Sequence, residues 1–66
     1  MEVTLYTTHC PKCQVLYLKL IGKNIKFKEI TSMEAIEKLG FLSAPILKVN
    51  DKYLQFKEAV DWVNAQ

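Results

Sequence analysis

The chain has 66 residues, half of them hydrophobic, with nine basic and seven acidic residues and a net charge of +2. That length suits one domain, residues 1–66, near the lower limit for an unaided hydrophobic core, and so few glycines and prolines exclude a disordered or fibrous chain. Every basic residue is Lys; without Arg, the usual bidentate reader of phosphates and bases, nucleic acid is not an expected partner.

Glu2 and Val3 lead into a strand without the basic and apolar regions of a secretory signal. The longest apolar run, Val15 to Leu18, falls far short of a membrane span. A cytoplasmic protein without a membrane partner is expected. Val3 to Tyr6 reads as the first strand, and Thr7 to His9 as a short loop. Pro11 opens a helix whose buried face is Cys13, Leu16, Tyr17, Leu20 and Ile21, at i, i+3, i+4 spacing; Gly22 ends it, with Lys23 and Asn24 as the exit. Ile25 to Ile30 alternates in part and reads as a second strand exposing Lys26 and Lys28. Thr31 and Glu34 match a capping box for a short helix with Met33, Ile36 and Leu39 inward, closed by Gly40. Ile46 to Val49 and Lys52 to Gln55 form a hairpin about Asn50-Asp51, and Phe56 to Ala65 a last helix with Phe56, Ala59, Val60 and Val63 on one stripe. The order is βαβαββα, with the first two strands parallel through a right-handed crossover.

The chemistry sits in Cys10-Pro11-Lys12-Cys13. Two thiols three residues apart on a helical turn lie about 5.5 Å apart at Cα, within reach of a disulfide. Pro11 falls in the first turn, where its missing N–H costs nothing. Cys10 stands at the helix tip, where free N–H groups favour a negative sulfur; it is the expected nucleophile. Cys13, one turn in, is shielded, is not expected to be lowered comparably, and resolves. A structural disulfide closing a two-residue loop would add little stability, and a zinc site has only His9 to join the pair within one chain. Lys12 and His9 are either exposed neighbours or modulators of the thiols. Phe41, Leu42, Leu54 and Phe56 are core residues or an apolar rim for a partner; Trp62 is assigned packing only.

C-P-x-C at the first helix, together with Ser43-Ala44-Pro45 before the third strand, resembles the glutaredoxin branch of the thioredoxin superfamily along essentially the whole chain. The resemblance implies an α/β fold, the minimal thioredoxin (glutaredoxin-like) fold: a four-stranded mixed sheet of order 2-1-3-4 with helices on both faces. It also implies a cis proline at Pro45 beside the cysteines, and an exposed Ala44 backbone on which a substrate chain can pair. The implied site is catalytic Cys10 and Cys13 with substrate-binding His9, Pro11, Lys12, Ala44 and Pro45. Some positions depart from that pattern. Lys12 stands where the family has Tyr, and Thr8 where it commonly has Lys. Leu54-Gln55-Phe56-Lys57-Glu58 replaces the Gly-Gly and acidic pair that hold glutathione, so poor glutathione binding is expected. The implied function is a thiol–disulfide oxidoreductase, a dithiol electron carrier reducing protein disulfides. No bound cofactor or metal is expected beyond the Cys10–Cys13 disulfide, and thioredoxin reductase or glutathione would serve as external reductant to a monomer. The alternatives are a glutathione-dependent glutaredoxin and a non-catalytic dithiol module holding a metal or an iron–sulfur cluster.

Overall fold

The computed structural model describes residues 2–66. β1 (Val3–Tyr6), α1 (Pro11–Gly22), β2 (Lys28–Ile30), α2 (Met33–Lys38), β3 (Ile46–Val49), β4 (Lys52–Leu54) and α3 (Phe56–Asn64) follow one another along the chain. The sheet order is β2-β1-β3-β4. β1 runs parallel to β2 and antiparallel to β3, and β3 antiparallel to β4. None of the described helices is long and apolar enough to cross a membrane.

Register decides which residues meet. Val3 pairs with Val49 and Leu5 with Leu47, and because strand side chains alternate, all four face one side. There they cluster with Leu16 and Leu20 of α1 and Ala59 and Val63 of α3. Each fully buried aliphatic side chain contributes roughly 1.5–3 kcal/mol. Tyr6 and Ile46 face the other way, on the side covered by α2, whose Ile36 is fully buried. Trp62 packs half-buried against the main cluster, as assigned.

Several boundaries move. β2 starts at Lys28, because the Ile25 N–H is bonded to the Leu20 carbonyl of the helix exit, at 3.1 Å. Ile25 and Phe27 still pack on the core. Ser32, not Thr31, caps α2: its hydroxyl accepts the Ala35 N–H at 3.2 Å. That one-residue shift turns Met33 outward. Ile21 is also exposed, since the buried stripe of α1 ends at Leu20. β4 stops at Leu54, because Gln55 turns to become the residue before α3, which runs to Asn64. Asn50 adopts φ 54, its N–H bonded to the Glu2 carbonyl at 2.8 Å and its side chain accepting the Glu2 N–H at 3.1 Å. Asn therefore serves the tight turn without Gly.

Candidate active site

The end of β1 delivers the chain to α1 through a loop fastened at each step. The Thr7 N–H continues the parallel pairing to the Ile30 carbonyl at 2.9 Å. The buried Thr7 hydroxyl accepts the His9 N–H at 3.0 Å, which holds His9 in the left-handed region at φ 61. Cys10 then becomes the N-cap of α1, with Pro11 in the first turn. Its sulfur accepts the Cys13 N–H at 3.2 Å, one of the donors a helix start leaves unpaired.

Both cysteines are free and their sulfurs lie 2.6 Å apart, so closing the bridge to about 2.05 Å needs only a short approach. Cys10 is half-buried, whereas Cys13 has no exposed surface. Burial pushes the Cys13 thiol up. Hydrogen bonding with the Cys10 and Thr7 side chains and with the backbones of Thr8 and Cys10 outweighs it, holding Cys13 at about 7 against an ordinary 9.0. The Thr8 N–H points at Cys13 Sγ from 3.5 Å. This corrects the expectation that Cys13 is not lowered: the donors that converge on its sulfur more than offset its burial. The signal for it was the Thr7-Thr8 pair before the motif, read only as loop. Access still distinguishes the two, and it favours Cys10.

The Ala44–Pro45 peptide bond is cis and Pro45 is buried. Cys10 Sγ lies 3.9 Å from the Ala44 carbonyl oxygen. Beside it runs a groove of about 370 Å³ lined by Lys12, Ser43, Ala44, Pro45, Gln55, Phe56, Lys57 and Glu58. The Lys12 ammonium sits 5.6 Å from the centre of the Phe56 ring, so it faces the groove rather than standing free in solvent. Pro11 is exposed at the helix start. His9 lines a second cleft of about 280 Å³ with Thr7, Cys13, Gln14, Tyr17 and Glu29, on the Cys13 side of the pair. Of the site residues read from sequence, the fold gathers Cys10, Lys12, Ala44 and Pro45 about the groove side of the pair, while His9 borders the cleft on the Cys13 side. Gln55 and Lys57, departures from the family pattern, and Phe56, a candidate for the apolar rim, form a wall of the groove. Phe41 packs on Tyr53 with ring centres 6.1 Å apart, and Leu42 is 91% exposed rather than core. Among the described residues no group of three or more His, Cys, Asp or Glu converges.

The whole arrangement superposes on a solved structure, that of the glutaredoxin-like protein NrdH-redoxin from Escherichia coli. The TM-score is 0.80, over 98% of this chain and 93% of that one, at 22% identity. The fold is that of a glutaredoxin-like redoxin. That protein is described as having a thioredoxin-like activity profile. No protein-family model matches this chain, and neither does any curated protein. For this redoxin fold the likeness establishes architecture, and the chemistry rests on its own residues.

Proposed function

We propose that this protein is a dithiol disulfide reductase, a small electron carrier whose substrates are protein disulfides. The observation that carries the reading is the pair itself: a half-exposed sulfur at a helix tip, 2.6 Å from a buried one that is held at about 7. Cys10, as thiolate, attacks a substrate disulfide; one substrate sulfur leaves as thiolate and takes up a proton. Cys13, activated by the Thr8 N–H, then attacks Cys10 Sγ and expels the second substrate thiol. Two electrons and two protons pass to the substrate, and the Cys10–Cys13 disulfide remains.

Pro11, Lys12, Ala44 and Pro45 form the binding surface in this reading, with the Ala44 backbone as the edge on which a substrate strand pairs. His9 lies outside that surface, on the Cys13 side of the pair. One domain acts as a monomer in the cytoplasm, where a reducing environment keeps such a pair cycling.

For the return of electrons, the reading favours a flavin-dependent thioredoxin reductase over glutathione. Gln55 and Phe56 place side chains in the groove where glutathione needs open backbone. Glutathione is the second reading, favoured by the cations of Lys12 and Lys57 in the same groove. The deciding experiment is insulin reduction with each donor: thioredoxin reductase with NADPH, then glutathione with its own reductase. Turnover with the first only is the expected result. Turnover with glutathione alone would reverse the assignment of the donor. Absence of turnover with either, with a coloured or metal-loaded protein, would favour the metal or iron–sulfur module instead.

A further inference from the structure

The thiol pair has an opening on each side. The groove of Lys12, Ala44, Pro45 and Phe56 runs beside Cys10, and the cleft of about 280 Å³ that reaches His9 and Glu29 borders Cys13. A substrate joined to Cys10 Sγ, 3.9 Å from the Ala44 carbonyl oxygen, occupies the first. The second stays open, against a cysteine that has no exposed surface of its own.

The resolving step makes a demand on that second opening. Burial pushes the Cys13 thiol up, and the foremost contact opposing it is with the Cys10 side chain. In the mixed disulfide Cys10 has no S–H to give, so burial meets fewer opposing contacts. Cys13 then enters the step carrying a proton, and its attacking electron pair is freed only when that proton leaves. Substrate blocks the way past Cys10. The cleft offers a polar way out with room for several waters: Thr7 lines it, and the Thr8 hydroxyl lies 3.9 Å from Cys13 Sγ. At its mouth stands the one histidine of the chain, exposed to solvent. Its φ of 61, uncommon for a residue with a side chain, is held by the bond from its N–H to the Thr7 hydroxyl and leaves it on the Cys13 side. Imidazole is the side chain best suited to take up and release a proton near neutral pH. Tyr17 and Glu29 are the other titratable groups lining the cleft with Cys13, and the Glu29 carboxylate favours the imidazolium.

We propose that the cleft on the Cys13 side is the proton port of the resolving step and that His9 is the base within it, drawing the Cys13 proton through water in the cleft. The inference rests on the reading of this protein as a disulfide reductase and deepens it. The proton of Cys13 passes to the His9 imidazole, and the freed electron pair forms the bond from Cys13 to Cys10. The bond between Cys10 and the substrate sulfur breaks. That sulfur leaves with its electron pair and takes a proton from solvent, and the imidazolium releases its own proton at the mouth of the cleft. Two thiols have become one disulfide here, and the substrate disulfide has become two thiols.

The test mixes reduced protein by stopped flow with one equivalent of an aromatic disulfide whose thiolate is coloured, across neutral pH. The first release of colour reports attack by Cys10, and the second reports closure of the Cys10–Cys13 bridge. His9→Asn removes the base, and Asn adopts a left-handed φ readily, so the loop keeps its turn. This variant should give the first release as wild type does and slow the second about a hundred-fold, the low end of what a positioned base contributes. Imidazole added to the buffer should restore the second release in proportion to its unprotonated fraction, a rescue that a purely structural role would not show. An unchanged second release in His9→Asn overturns the proposal and leaves the dithiol reading standing. A slowed second release that imidazole does not restore, or a first release slowed equally, assigns His9 to holding the loop and overturns the proposal too. Absence of a second release in the wild type removes the dithiol reading, and the proposal with it.

Discussion

α1 and α3 lie side by side on the same face of the sheet, run in the same direction and give the core similar inward residues, Leu16 and Leu20 against Ala59 and Val63. Their other features diverge. α1 begins with a sulfur as its capping acceptor, whereas Gln55 at the start of α3 makes no side-chain cap bond. The outward side of α3 carries Lys57, Glu58, Asp61 and Asn64, all exposed, whereas that of α1, with Pro11, Gln14, Val15, Leu18 and Ile21, is uncharged. Two helices with one packing task thus differ in every position that packing leaves open. Those open positions are where function is written.

The largest effect that would break this comparison is at the cap of α1. Cys10→Ser should reduce disulfide reductase activity to background, while Cys13→Ser should still attack and then accumulate a mixed disulfide on Cys10, visible by mass spectrometry. Full turnover by Cys13→Ser would make the second thiol dispensable. Next come the shared core positions. Leu16→Ala should cost about 2–5 kcal/mol, a large part of what so small a domain has. Val63→Ala on α3 should cost roughly 2 kcal/mol. Urea unfolding compares them; equal losses would mean that the two helices are not packed as unequally as their side chains imply.

A third prediction concerns pH. The Cys13 thiol should lose its proton near 7, followed by ultraviolet thiolate absorbance in the Cys10→Ser protein and in the wild type. Because that value lies below the ordinary 9.0, the thiolate stabilises the fold fully above 9.0, and the gain is lost as pH falls through about 7. Alkylation should nevertheless mark Cys10, the accessible sulfur, and labelling confined to Cys13 would contradict the burial. The smallest effects lie where α1 meets α3 and on the outer side of α3. Lys12→Ala should cost at most about 1 kcal/mol, the size of a cation–aromatic contact. Asp61→Asn should change stability by less than about 0.5 kcal/mol, and a larger loss would show that the charged face of α3 is more than solvated surface.

The elements were legible because their signals are periodic and strong. Alternation in Val3 to Tyr6 and Ile46 to Val49, and the i, i+3, i+4 pattern of Cys13, Leu16 and Leu20, reproduce what the fold buries. Errors arose where two local signals competed. Thr31 and Ser32 can each cap a helix, and only packing selected Ser32. Ile21 extends the apolar spacing of α1 but lies beyond the last turn that touches the sheet. The position of His9 depended on one hydroxyl bond from Thr7, and the lowered Cys13 on donors that converge only after folding. Pattern reveals which face is inward; it carries no information on which side of a loop a side chain emerges.

The Cys13 N–H bonded to Cys10 Sγ at 3.2 Å couples the oxidation state of the protein to its folding through a closed thermodynamic cycle. A thiolate is a strong acceptor for that N–H, and the same sulfur in a disulfide is a weak one. Folding therefore favours the reduced side of the couple, and by the same cycle reduction favours the folded chain. The two-residue ring closed by the disulfide offsets little of this. Above pH 7, the reduced protein should accordingly withstand more urea than the oxidised one, an order opposite to that of a stapling disulfide, and its bridge should be easier to reduce than the same bridge in the unfolded chain.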